Sequence, residues 1–278
     1  MPAKKQDVAK KEEAAVPAVA SMFEEDAGGG FEETTKDDYA IPFLQALQKM
    51  SPQVDPEEDG YIEGAKPGQI VNTVSEELWD GKTGVLVIPV HYERKVIEWV
   101  PRNKGGGNGA GFVAEHDIDT GLLLLDECTQ DDNKRDIHPG TGNEMQDTRV
   151  HYVLVVGDDG SYEPAVISMT RTKIKGSKKW ITIMNGIKKR RANGGLYTPP
   201  MFSHIYRLQT EAKSNDQGTY YVYNVRKERE LGTQEGDEEL YMAAKGFRDT
   251  VVSGAAKANH AAAAEKEAGA QGENEFAD

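Results

Sequence analysis

GVLVIPVHYERKVIEWV, residues 84–100, decides the fold. Its first half, VLVIPV, is an unbroken apolar run rich in β-branched residues, which reads as a buried strand. In its second half Tyr92, Val96 and Trp99 sit among charged residues, the pattern of a half-exposed strand. Pro89 has no N–H to give to a ladder, so it marks a bulge or an edge position.

Working outward, HYVLVV (151–156), a Gly-Asp-Asp-Gly turn and YEPAVISMT (162–170) form a β-hairpin. Between the two strand regions, residues 115–147 are acidic and turn-rich and read as a long connection. Residues 102–111, RNKGGGNGAG, have almost no intrinsic structure and read as a mobile loop. They are no phosphate-binding loop: the one Gly-Lys-Thr triplet, Gly81 to Thr83, has Glu76 where the first glycine belongs. Upstream, residues 68–80 read as a strand and turn. Phe43, Leu44 and Leu47 share one face of a short helix capped by Asp37 or Asp38 and ended by Ser51-Pro52.

Downstream of the hairpin, Trp180, Ile181, Met184 and Ile187 recur at helical spacing over 177–191, with Ser177 as N-cap. MFSHIYRLQTEA and GTYYVYNVRKE then read as two strands around a turn at Asn215 to Gly218, followed by a helix over about 235–267 with Leu240, Ala243, Ala244, Phe247 and Val251 on one side. The expected fold is mainly β with α (α+β). It is an OB-like antiparallel β-barrel with one basic helix before the last strands, a C-terminal helix and disordered termini. The expected boundaries are a disordered acidic segment 1–36, the OB-like domain 37–232, the helix 233–266 and an acidic tail 267–278.

The 278 residues carry 33 Lys and Arg against 47 Asp and Glu, a net charge of −14. That total opposes phosphate binding, which depends on cations displacing counterions. The charges are segregated, however. From Pro164 to Thr210 the chain has ten basic residues and no acid, so this segment is +10 and the remainder, 23 minus 47, is −24. The bland account is a solvated face or a dock for the chain's own acidic segments; the functional account is a polyanion-binding surface.

Single-stranded nucleic acid calls for a cationic groove interleaved with aromatic faces. The candidate residues are Arg171, Lys173, Lys175, Lys178, Lys179, Lys188, Lys189, Arg190, Arg191 and Arg207, with Trp180, Tyr197, Phe202 and Tyr206 as candidate stacking rings. Arg94, Lys95, Trp99, Arg102 and Lys104 add a second strand and loop. For each ring, core packing is the competing account. The terminal Glu273, Glu275, Phe276 and Asp278 form an acidic, aromatic-bearing tail of the kind that recruits protein partners.

A lone cysteine, Cys128, excludes an intramolecular disulfide framework and paired-cysteine zinc sites, and His116, Cys128 and His138 lack compact ligand spacing. No cofactor or metal is expected. No apolar run approaches the ~18 residues of a membrane span and no signal core is evident, so a cytoplasmic protein is expected, in the host cytoplasm if phage-encoded.

IPFLQALQKMSPQV (41–54), GVLVIPVHYERKVIEWVPR (84–102) and TRTKIKGSKKW (170–180) resemble a bacteriophage-encoded family of small acidic proteins associated with single-stranded DNA binding in replication and recombination. The resemblance spans roughly residues 39–228. It implies a non-catalytic protein that coats single-stranded DNA and meets replication or recombination proteins through its tail; a homo-oligomer is compatible with it. Two other readings stand beside it. One is a virion or scaffold-type assembly protein whose basic patch meets an acidic protein, and the other a metal-dependent nuclease using the acids of 115–147.

Overall fold

The computed structural model describes residues 22–23, 25–35, 40–101, 111–215 and 218–263. Arg102 and Lys104, the tail residues Glu273, Glu275, Phe276 and Asp278, and the helix-capping Asp37 and Asp38 lie outside them. So do the segment 1–21 and all of the glycine loop except Gly111. The chain divides into two units, Met1–Tyr39 and Ala40–Asp278. In the first, the described residues form a helical turn and tight turns, with the Asp26 N–H donating to the Met22 carbonyl.

Among its described residues the second unit has thirteen strands. In chain order they are β1 (Leu44–Ala46), β2 (Ile70–Asn72), β3 (Leu78–Trp79), β4 (Val85–Val100), β5 (Gly111–His116), β6 (Thr129–Gln130), β7 (Asp136–Ile137), β8 (Glu144–Val156), β9 (Tyr162–Thr170), β10 (Lys189–Arg190), β11 (Leu196–Tyr197), β12 (His204–Asn215) and β13 (Gly218–Glu230). The described residues also include the α-helices α1 (Ile118–Glu127), α2 (Ile174–Gly186) and α3 (Asp237–Val252).

β4 organises the main antiparallel sheet. It pairs with β8 along nearly its whole length, with β12 at its start and with β5 at its end. The bulge expected at Pro89 lies between Pro89 and His91. β9 pairs with β8, and β13 with β12, giving the order β13-β12-β4-β8-β9, a sheet curled into a half-barrel. Alternate residues point to opposite faces. Val85, Val87, Val153, Val155, Ile167, Met169, Leu208 and Val225 fill the inside, and α2 plugs it with Trp180 and Met184. Ile88, Val90, Val150, Tyr152 and Leu154 face outward under Leu240, Ala244 and Val251 of α3. Both faces of β4 are therefore covered, which is why its first half is apolar without alternation.

The segment around β1 bridges the two edges of the curled sheet. On one side Phe43 forms a parallel bridge with Val166, whose N–H donates to the Pro42 carbonyl. On the other, side chains complete the seam. The Tyr223 hydroxyl donates to the Leu44 carbonyl (2.8 Å) and accepts from the Ala46 N–H (2.9 Å). The Gln48 carboxamide both donates to and accepts from the backbone of Tyr221. Tyr223→Phe leaves a buried carbonyl and N–H unpaired. It is expected to cost about 1–3 kcal/mol, read as a lowered urea midpoint at unchanged m-value.

Several expectations are corrected. The short helix at Phe43, Leu44 and Leu47 is strand β1 and its flanks: Leu44 and Ala46 both enter the inner core, a period of two. α2 begins at Ile174, before Ser177. The Ser177 side chain is 1% exposed and turned to His151, so Ser177 is no N-cap, and Lys188 to Arg191 lie beyond the helix, which stops at Gly186. The acidic connection 115–147 contains β6, β7 and α1, whose N-cap Asp117 accepts from the Thr120 N–H, as well as parts of β5 and β8. The C-terminal helix closes at Val252, followed by Ser253 and a left-handed Gly254 (φ 76°).

Candidate nucleic-acid interface

α2 has two faces. Ser177, Trp180 and Met184 are buried against the barrel, while Lys175, Lys178 and Lys179 project outward with Thr182. Among the described residues no carboxylate lies within ion-pairing distance of these lysines; Lys179 donates to the Asn224 carboxamide oxygen at 3.1 Å. Glu211 registers their field. Its carboxyl is held below the usual range, first by the hydrogen bond from Lys213 and further by the charges of Lys179 and Arg226.

The chain leaving α2 carries further cations. Lys188 donates to the Asn185 carbonyl and the Thr198 hydroxyl (2.5 Å), Arg190 to the Gly194 carbonyl, and Arg191 lies 5.0 Å over the Tyr197 ring. The β10–β11 hairpin, Lys189↔Tyr197 and Arg190↔Leu196, holds the last three. None of Lys188, Arg190 and Arg191 meets an acid among the described residues.

The other candidate cations are engaged. Arg94 grips Asp147 with two hydrogen bonds (2.9 and 2.8 Å), and Arg149 shares the same carboxylate. Burial opposes ionisation of Asp147, but the two guanidiniums hold its carboxyl below the usual range. Lys95 lies 3.2 Å from Glu115 and 3.8 Å from Glu93, Arg207 pairs twice with Glu228, Arg171 meets Glu144 and Lys189 meets Glu230. Lys173 lies 5.6 Å over the Tyr223 ring.

The rings divide differently from the sequence reading. Trp180 (0% exposed), Phe202 (7%) and Tyr206 (1%) are core residues and offer no face to a base. Trp180 stacks on His151 at 4.8 Å and meets Tyr206 edge-on. Burial pushes the Tyr206 hydroxyl up to about 12. Tyr197 and Trp99 remain half-exposed, and Trp99 packs edge-on against Phe112 at 5.8 Å. Phe112 was missed because it follows the glycine loop, where no strand periodicity is legible; the pairing of β5 with β4 brings it to Trp99.

The acids of 115–147 do not converge. Asp117 caps α1, Asp131 holds Arg135, and Glu115 accepts from His260 and Lys95. Among the described residues no group of three His, Cys, Asp or Glu side chains is placed to hold a metal ion. Among them, too, no helix is long and apolar enough to cross a membrane.

Fold and surface together define a mainly β protein, a curled antiparallel half-barrel plugged by a helix whose outer face is cationic. A family model described as Pam3 phage gp34-like protein matches residues 10–257 of the 278, and the chain belongs to that family. It is thus related to a phage protein, as the resemblance implied; binding to single-stranded DNA is no part of the family's description. No match is found among curated proteins or among solved structures.

Proposed function

We propose that this is a non-catalytic single-stranded DNA-binding protein of phage replication or recombination. The observation that carries the reading is the set of cations that have no carboxylate partner among the described residues: Lys175, Lys178 and Lys179 on α2, and Lys188, Arg190 and Arg191 in and beside the β10–β11 hairpin. In a chain of net charge −14, cations left without acids point to an anion supplied from outside. Their spread over a helix and a hairpin suits a phosphate backbone better than one small anion, and Tyr197 provides a ring beside it. The strand order adds support. A β4-β8-β9 meander, then α2, then a β12–β13 hairpin returning to β4 is compatible with the OB barrel expected of such a protein.

Fluorescence anisotropy with a labelled thymine oligomer of about 30 nucleotides, against duplex DNA, tests the reading. The expected result is single-strand binding whose affinity falls steeply from low to physiological salt. No binding at low salt would overturn it and turn the search to an acidic protein partner, as an assembly protein would use.

A further inference from the structure

Along β8 and β9 the outward side chains change character. Under α3 they are apolar: Val150, Tyr152 and Leu154 on β8, Val166 on β9. Toward the other end of the strand pair they become Gln146, Thr148, Ser168 and Thr170. These polar side chains do not simply face solvent. With Trp99 and Lys173 they line a cleft of about 190 Å3, bounded on one side by His260, whose ring hydrogen-bonds the Ser168 hydroxyl at 3.2 Å.

Three features separate this cleft from an ordinary wet stretch of sheet. The Gln146 carboxamide and the Thr170 hydroxyl have no hydrogen-bond partner among the described residues, although both are half-buried. The Trp99 indole N–H is enclosed and also unpaired. The lining includes no Asp or Glu, in a protein where acids outnumber bases 47 to 33. A carboxamide and hydroxyls both donate and accept, so the complementary ligand edge carries donors and acceptors together. The volume lies below the about 300–1,000 Å3 of sites for drug-sized ligands and suits a single ring. Lys173, at the start of α2, joins the cleft to the cationic face that carries Lys175, Lys178 and Lys179.

We propose that this cleft is a subsite for one nucleobase, held by its hydrogen-bonding edge while the adjoining phosphates follow α2. The inference rests on the single-strand reading and adds to it. Lysines alone bind any phosphate chain, whereas this cleft makes the protein sense the base.

The test compares a thymine oligomer with an abasic oligomer of the same length, using the full chain and its Gln146→Ala/Thr170→Val variant, with far-UV circular dichroism and each single variant to verify folding. The expected result is a thymine oligomer bound about tenfold more tightly than the abasic one, a difference that shrinks to about twofold in the double variant while abasic affinity is unchanged. Equal affinity of the full chain for the two oligomers overturns the subsite and leaves the single-strand reading standing. A difference that survives in the folded double variant also overturns it. Failure to bind either oligomer overturns the single-strand reading, and this inference with it.

Discussion

Lowering the pH from about 6.5 to about 4.5 is expected to destabilise the protein by roughly 1.4 kcal/mol per unit, and His151→Gln to flatten that limb. His151 is fully buried inside the barrel, stacked on Trp180, with its Nε2 2.7 Å from the Ser177 hydroxyl and its Nδ1 unpartnered. Burial, reinforced by the charge of Arg149, pushes the imidazole down from 6.5 to about 3. The unfolded chain therefore takes up a proton that the folded chain refuses. The stability this confers is fully present above the unfolded value and is lost as the pH falls toward the folded one. Across the whole interval the loss approaches about 5 kcal/mol, a large fraction of the roughly 5–15 kcal/mol that holds a domain together. Carboxylates such as Asp147 and Glu115, held below their usual range, titrate only further down, and His204, also pushed down by burial, adds to the same window in parent and variant alike. Glutamine keeps an amide for Ser177 and cannot titrate. Urea midpoints measured at half-unit intervals decide the matter: an identical acid limb in the variant would show that His151 is not its source.

Replacing Lys175, Lys178, Lys179 and Lys188 together by alanine is expected to lower single-strand affinity by roughly two to three orders of magnitude near 0.1 M salt. Each phosphate contact on a single strand contributes about 0.7 to the slope of log affinity against log salt, so four lost contacts lower that slope by about 3. The folded state is little affected, because these side chains are exposed and none is ion-paired to an acid among the described residues. Arg207→Ala is the matched control. Its guanidinium is committed to Glu228 through two hydrogen bonds, at 3.0 and 2.9 Å, so its removal should leave the salt slope nearly unchanged. A quadruple variant whose slope equals that of the parent protein would show that the α2 face does not carry the phosphates.

What the sequence discloses follows from the range of the interactions involved. The 84–100 strand, the 162–170 strand and the final hairpin were legible because β-branched apolar runs, alternation and turn chemistry are local signals. β1 was misread because Phe43, Leu44 and Leu47 satisfy helical spacing equally well; only the pairing with β2 and the distant Tyr223 makes that segment extended. α1 was lost inside an acidic stretch where four successive leucines give no periodicity. For the candidate interface, the sequence marked cationic charge but could not mark its neutralisation. Arg94 and Arg207 look like Lys178 until strand pairing brings Asp147 and Glu228 within hydrogen-bonding reach of them. Aromatic residues are harder still, since Trp180 directly follows two surface lysines in sequence and lies inside the barrel in space.

The seam at β1 has a consequence for how the chain reaches this state. The residues that Tyr223 and Tyr221 secure lie 173 to 179 positions earlier in the chain. During synthesis from the N-terminus, β1 leaves the ribosome long before its second edge exists, and it must wait for nearly the whole domain to emerge. Closure is thus a step of high contact order and is expected late, in the slow millisecond-to-second range of folds dominated by non-local strand pairing. Until then the apolar interior that α2 plugs is open along one side, and the stretch from Phe43 to Gln48 is the part of the nascent chain with most to gain from a chaperone.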